Sequence, residues 1–167
     1  MAKKVYALEP SHQMVSIITS KIKDQGICNI DVLEDCCEKI TLPDCTVDVA
    51  VASHSLSGVL DLQRCLSEME RVLVDSGHIY AVENWAFKKN TFQKMREPDS
   101  VEYDRSFVEL MMNRGFEPCK VFKVHWEFLS VDEAVEVMGF LLGQRAVEYL
   151  TGNGIRRVDN TVCLLHK

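Results

Sequence analysis

The chain opens, within four residues of its start, on a short apolar strand that runs straight into an acid and a proline: Lys4-Val5-Tyr6-Ala7-Leu8-Glu9-Pro10. From there strand and helix patterns alternate to the end. Val5–Leu8 is followed by a helix that begins at Pro10-Ser11 and runs to about Asp24, with Ser11 as its cap and Met14, Val15, Ile18 and Ile22 as its apolar stripe. Gly26 ends that helix, Ile30–Leu33 reads as a second strand, and Pro43-Asp44 punctuates the loop after it. Val47–Ala52, interrupted only by Asp48, is the pattern of a strand covered on both faces. Alternation of this kind predicts an α/β fold with a mostly parallel sheet and helices on both faces.

The second half continues the alternation. Asp61–Leu73 places Leu62, Leu66, Met69 and Val72 on one helical face, and Gly77–Val82 is a fourth strand. A polar and aromatic stretch, Glu83–Asp99, leads into a helix from about Val101 to Asn113 that stops at Gly115. Pro118–Phe128 reads as a long strand, and Ser130–Leu150 as one helix whose Ser130 and Glu133 form a capping box. Arg157–Leu165 closes the chain as a strand, expected antiparallel and at the sheet edge. The 167 residues suffice for a single domain with a real core.

Composition excludes several classes. A net charge of −6 argues against a broad nucleic-acid surface, and no apolar run is long enough to cross a bilayer. A cytoplasmic protein is the expectation. The seven cysteines include no CxxC and no zinc-knuckle spacing, so they read as reduced, buried, small hydrophobes. A metal site at Cys36, Cys37 and Cys45 is a weaker alternative, and no metal is expected. No Ser–His–acid order and no phosphate loop is present.

Ligands of open α/β sheets bind beyond the carboxyl ends of the strands. Those ends carry Glu9, Pro10 and Ser11; Glu34, Asp35, Cys36 and Cys37; Ser53 and His54; and Glu83, Asn84 and Trp85. A carboxylate at Glu9 can accept two hydrogen bonds from a ribose diol, and is as readily a solvated strand-end acid. Asp35 can accept from an adenine amine, or belong to a wet loop. His54 is a candidate base or a histidine satisfied by backbone. Trp85 and Phe87 either wall a substrate pocket or pack the next helix.

The stretch Val32-Leu33-Glu34-Asp35-Cys36-Cys37-Glu38-Lys39-Ile40-Thr41-Leu42-Pro43-Asp44 resembles the "GDAExLPxPD" region of class I S-adenosylmethionine-dependent methyltransferases of the small-molecule, quinone-biosynthesis-like type. Val47-Asp48-Val49-Ala50-Val51 is similar to their "FDxVh" strand, and Asp61 through Leu66, Glu68, Arg71, Val72 and Leu73 to "DxxxxLxExxRVL". The resemblance covers residues 3 to about 84. It implies a Rossmann-like fold, S-adenosylmethionine as cofactor, Glu9, Pro10, Ser11, Asp35, Cys36, Cys37 and Ser53 at the cofactor, and His54 as the catalytic base.

It also implies that the family's first strand and glycine-rich loop would precede Val5, so that the fold is N-terminally truncated here. "GDA" is replaced by Asp35-Cys36-Cys37, and "KPGG" by Val74-Asp75-Ser76-Gly77. Three remedies for the lost strand are open: direct pairing of the strands at Val5 and Val47, completion of the sheet by a homodimer or partner chain, or an upstream segment. Cofactor binding by the isolated chain is expected to be weak. A non-catalytic methyltransferase-like binding or scaffold module is the alternative function.

Overall fold

A computed structural model describes residues 2–87 and 89–167. The chain divides into two compact units, Met1–Ala50 with Gly58–His78, and Val51–Ser57 with Ile79–Lys167. The architecture is α/β. One sheet holds two strands in the order β1-β2, and the other holds four in the order β3-β4-β6-β5.

In the first unit, β1 (Val5–Leu8) and β2 (Ile30–Leu33) pair in parallel, Val5 opposite Ile30 and Leu8 opposite Leu33. They are joined by α1 (His12–Asp24), whose cap Ser11 accepts the Met14 N–H. Gly26 takes φ +65° just past the helix, a left-handed conformation that glycine adopts without steric cost. The α2 helix (Leu62–Val72), capped by Asp61, buries Cys65, Leu66, Met69 and Val72, the stripe its spacing predicts. Its Arg71 acts as a clamp on the loop after β2. The guanidinium donates to the carbonyls of Ile40 (2.7 Å) and Leu42 (2.9 Å) and pairs with Asp44 and Glu68. Glu68 also accepts the Ile40 N–H at 2.9 Å, and these bonds hold its carboxyl down at about 2.

The two-sheet arrangement corrects one expectation. No ladder joins β1 to β3 (Val47–Ser53): among the described residues β1 pairs with β2 alone, and β3 lies beside β4 (Leu73–Asn84). Direct closure therefore does not occur. Nor is β3 covered on both faces, since Val49 is 48% and Val51 66% exposed. Among the described residues before Val51, Ile40 is the one buried side chain. Among the described residues, no side chain of the β1–α1–β2 segment is buried. A groove of about 420 Å³ on α1 and β2, lined by Thr19, Ile22 and Ile30–Leu33, includes none of the strand-end residues.

In the second unit, β6 (Arg157–His166) runs antiparallel to both neighbours, β4 and β5 (Glu117–Glu127). The last strand is therefore internal, and β5 forms the edge. Ile79 and Lys167 exchange both backbone hydrogen bonds, at 2.7 and 2.9 Å, and pin the C-terminus to β4. The expected single helix over Ser130–Leu150 is two: α5 (Val131–Leu142) and α6 (Gln144–Asn153), separated by Gly143 at φ +80°. A core cluster of Met95, Phe128, Ala134, Met138, Leu150 and Val158 packs these helices. Two further helices, α3 (Thr91–Lys94) and α4 (Pro98–Asn113), follow β4. Among the described residues, no helix is long and apolar enough to cross a membrane.

Candidate active site

The strand-end residues fall into two groups, one in each unit. In the first unit, Glu9 leaves β1 half-buried, with its N–H donating to the Leu33 carbonyl (3.0 Å). Its Oε1 accepts the Ser11 N–H at 2.8 Å, and among the described residues none bonds to Oε2. Pro10 is exposed, and Ser11 is committed to capping α1. One carboxylate oxygen beside a helix start is thus open to a hydroxyl donor.

Beyond β2 the candidates are more heavily engaged. Asp35 Oδ2 accepts from the Thr41 N–H (2.9 Å) and hydroxyl (2.6 Å), which closes the turn. Cys36 forms an isolated bridge with Lys39 and its side chain is exposed. Cys37 is half-buried and donates to Glu38 Oε2 at 3.3 Å; burial pushes its thiol pKa up. Glu38 Oε1 accepts the Leu60 N–H, and bonds from backbone lower its pKa. Glu34 is paired with His12 at 2.9 Å, which raises the imidazole pKa.

The cysteines themselves correct the expectation of a buried set. All seven are free, but only Cys65 and Cys163 are buried, while Cys28, Cys36, Cys45 and Cys119 are exposed. Among the described residues no cluster of His, Cys, Asp and Glu has metal-holding geometry.

In the second unit, Ser53 ends β3 and His54 follows at φ +51°, a left-handed conformation that is uncommon for a residue with a Cβ. The His54 N–H donates to the Val82 carbonyl at 2.9 Å, which holds the turn against β4. Desolvation lowers the His54 pKa, and the charge of Asp104 partly opposes it. One turn of α4 then ties the two strand ends together. The Tyr103 hydroxyl donates to the Ser57 carbonyl (2.6 Å), beyond β3. Arg105 donates to the Ala86 carbonyl and lies over the Phe87 ring, beyond β4. Between them, Asp104 is ion-paired with Arg96.

Glu83 is a strand-end residue to which the sequence gives no role. Its side chain is 4% exposed, and Oε1 is buried without a hydrogen-bond partner. Burial, reinforced by Asp104, raises its pKa to about 7. The sequence signal was present, since Glu83 is the lone acid closing the apolar run Ile79–Val82, but its burial is set by tertiary packing. The aromatic pair two and four residues on, Trp85 and Phe87, has ring centroids 4.5 Å apart.

Comparison with known proteins agrees with this architecture. Residues 1–81 match the model of the methyltransferase domain family. A demethylmenaquinone methyltransferase of Geobacillus sp. (strain WCH70) is 29% identical over 80 residues, which is 48% of this chain and 34% of the relative. The chain thus matches about a third of the length of this curated relative.

Among solved structures, the YcgJ protein of Bacillus subtilis superposes with a TM-score of 0.64 at 14% identity, covering 98% of this chain and 81% of its own. A SAM-dependent methyltransferase from Aquifex aeolicus gives 0.60 at 19%, covering 98% and 68%. The fold is the Rossmann-like fold of methyltransferases. The sequence match to the methyltransferase domain family spans residues 1–81, just under half of the chain.

Proposed function

We propose that this chain is a methyltransferase domain that acts on a small molecule, with Glu9 holding the nucleoside of its cofactor. The observation that carries the reading is the open Oε2 of Glu9 at the carboxyl end of β1, beside the start of α1. S-adenosylmethionine supplies an electrophilic sulfonium methyl when bound. Glu9 accepts from the ribose hydroxyls; Pro10 and Ser11 shape the turn beneath it; Asp35, Cys36 and Cys37 border the adenine. Ser53 is assigned to the cofactor, and the next residue, His54, has an imidazole that desolvation disposes to be neutral and so available to take a proton.

Affinity is low in this reading. Asp35 Oδ2 is occupied by Thr41, and the thiols of Cys36 and Cys37 are weak partners for a nucleobase. A sheet edge is also open. Val5 and Glu9 donate their N–H groups toward β2, so by strand alternation the Tyr6 and Leu8 amides face away from it. A second copy or a partner chain completes this edge; sedimentation showing a monomer at every concentration would rule out the second copy.

Calorimetric titration with S-adenosylhomocysteine tests the reading. Micromolar binding is expected to weaken by about 10- to 100-fold in Glu9→Ala, the loss of hydrogen bonds to a charged group. A folded protein that takes up no ligand at millimolar concentration would refute it. The scaffold alternative, which the open β1 edge favours, would then stand.

A further inference from the structure

Glu83 has a feature that the nucleoside residues lack: an acid oxygen shut off from water and bonded to nothing. Native proteins rarely leave such an atom unpaired, because the desolvation cost of roughly 1–3 kcal/mol is not recovered. Among the described residues, none forms a hydrogen bond with Oε1.

The surroundings are those of a built site rather than of a packing accident. Glu83 sits at the carboxyl end of β4, opposite Cys163 of β6. The turn of α4 above it grips the loop after β3 through Tyr103 and the loop after β4 through Arg105. Asp104 in the same turn is ion-paired with Arg96, whose Nη2 also donates to the Ser100 carbonyl at 3.3 Å. The loop that leaves β4 is fixed from below by a polar network. The Trp85 N–H donates to the Thr161 carbonyl, Gln93 donates to the Trp85 carbonyl, and Asn160 donates to Asn84. Trp85 and Phe87 are thereby held two and four residues from the free carboxyl.

We propose that Glu83 holds the methyl acceptor by an O–H or N–H on a planar aromatic molecule, and takes that proton as the methyl group is transferred. This rests on the methyl-transfer reading above and adds to it a second proton-holding group alongside His54. In the step, the acceptor heteroatom forms its bond to the methyl carbon while the electrons of the breaking S–C bond remain on sulfur. The proton of the acceptor passes to Glu83 Oε1 and later returns to water. Burial, and after it the Asp104 carboxylate on α4, set the proton affinity of Glu83; they bring it to about 7, where a carboxyl serves as base and acid alike, while the Cys163 thiol that faces it across the ladder is itself raised.

The test uses phenol as the probe and protein isotope-labelled at the glutamate Cδ. One glutamate carboxyl resonance is expected to titrate at about 7 and to move when phenol is added. In Glu83→Gln that resonance disappears and phenol affinity falls about tenfold, the worth of one hydrogen bond to a carboxyl. The proposal is overturned if no glutamate titrates in that range, if phenol leaves the resonance unmoved, or if the variant binds phenol as the wild type does. Should Glu83→Gln not fold, the wild-type titration with the resonance assigned through its own backbone decides alone. Parallel titration with S-adenosylhomocysteine separates the two readings. Absent cofactor binding with an intact phenol response would overturn methyl transfer and leave Glu83 as the anchor of an aromatic-hydroxyl site.

Discussion

Glu83 on β4 and Cys163 on β6 lie directly opposite one another across the antiparallel ladder, both closed to solvent, and neither gives up its proton readily. Burial raises the carboxyl to about 7 and the thiol to about 11, with the Glu83 charge adding to the second effect. An acid with a raised folded-state pKa makes stability depend on pH in a definite direction. Between its ordinary 4.5 and about 7 the folded protein keeps a proton that the unfolded chain has lost. Stability is therefore full below that interval and falls as pH rises through it, by about 3 kcal/mol in all. Urea unfolding at roughly pH 5 and pH 8 should show this loss, and Glu83→Gln should abolish it. An unchanged slope in the variant would assign the effect elsewhere.

The seven thiols should divide by burial. An aromatic disulfide reagent is expected to modify Cys28, Cys36, Cys45 and Cys119 in the native protein and Cys37 more slowly. Cys65 and Cys163, both 0% exposed, should react only on unfolding. Peptide mapping of the modified protein reads the order directly; early labelling of Cys65 would contradict the packing of α2.

Ser130 caps α5 by accepting the Glu133 N–H at 3.0 Å, and Glu133 returns a bond to the Leu129 N–H. Ser130→Ala should cost about 0.5–2 kcal/mol in chemical denaturation. The slope of the transition should not change, since the exposed surface is the same.

Leu150 is fully buried in the cluster with Met138, Phe128 and Val158. Truncation to alanine leaves a cavity that these neighbours fill only in part. A loss of about 2–5 kcal/mol is expected for Leu150→Ala. A loss below about 1 kcal/mol would mean that the site collapses around the smaller side chain.

The legible part of the fold was the part governed by short-range pattern. Val5–Leu8 and Ile30–Leu33 are apolar runs bounded by polar residues, and the structure gives them the same limits. Ser11 and Asp61 cap helices because their side chains have an N–H to accept three residues on. The break at Gly143 was hidden by the apolar pattern that continues on both sides of it. A glycine costs a helix only about 1 kcal/mol, so the residue alone does not reveal that it has turned to φ +80°. Leu73–Ser76 joins β4 straight after α2, where the sequence pattern starts the strand only at Gly77. The exposure of Val49 and Val51 could not be inferred either, because an apolar strand does not declare which neighbours it lacks.

The candidate site divides in the same way. Glu9 and His54 are recognisable as strand-end residues, since that position follows from counting along the chain. The orphaned oxygen of Glu83 is not, because its burial and the nearby charge of Asp104 on α4, some twenty residues further on, come from tertiary packing.

The β1–β2 ladder ends at its own two strands, and Ile40 is the sole buried side chain among the described residues that precede β3. Such a segment is a foldon of low standing: its amides should exchange with deuterated solvent through local opening, without waiting for the whole molecule to unfold. A ligand held by Glu9 would then be bound only by the closed members of that ensemble. Part of its binding energy would be spent on ordering the strand that carries it, and its affinity would report the folding of β1 as much as the chemistry of the carboxylate.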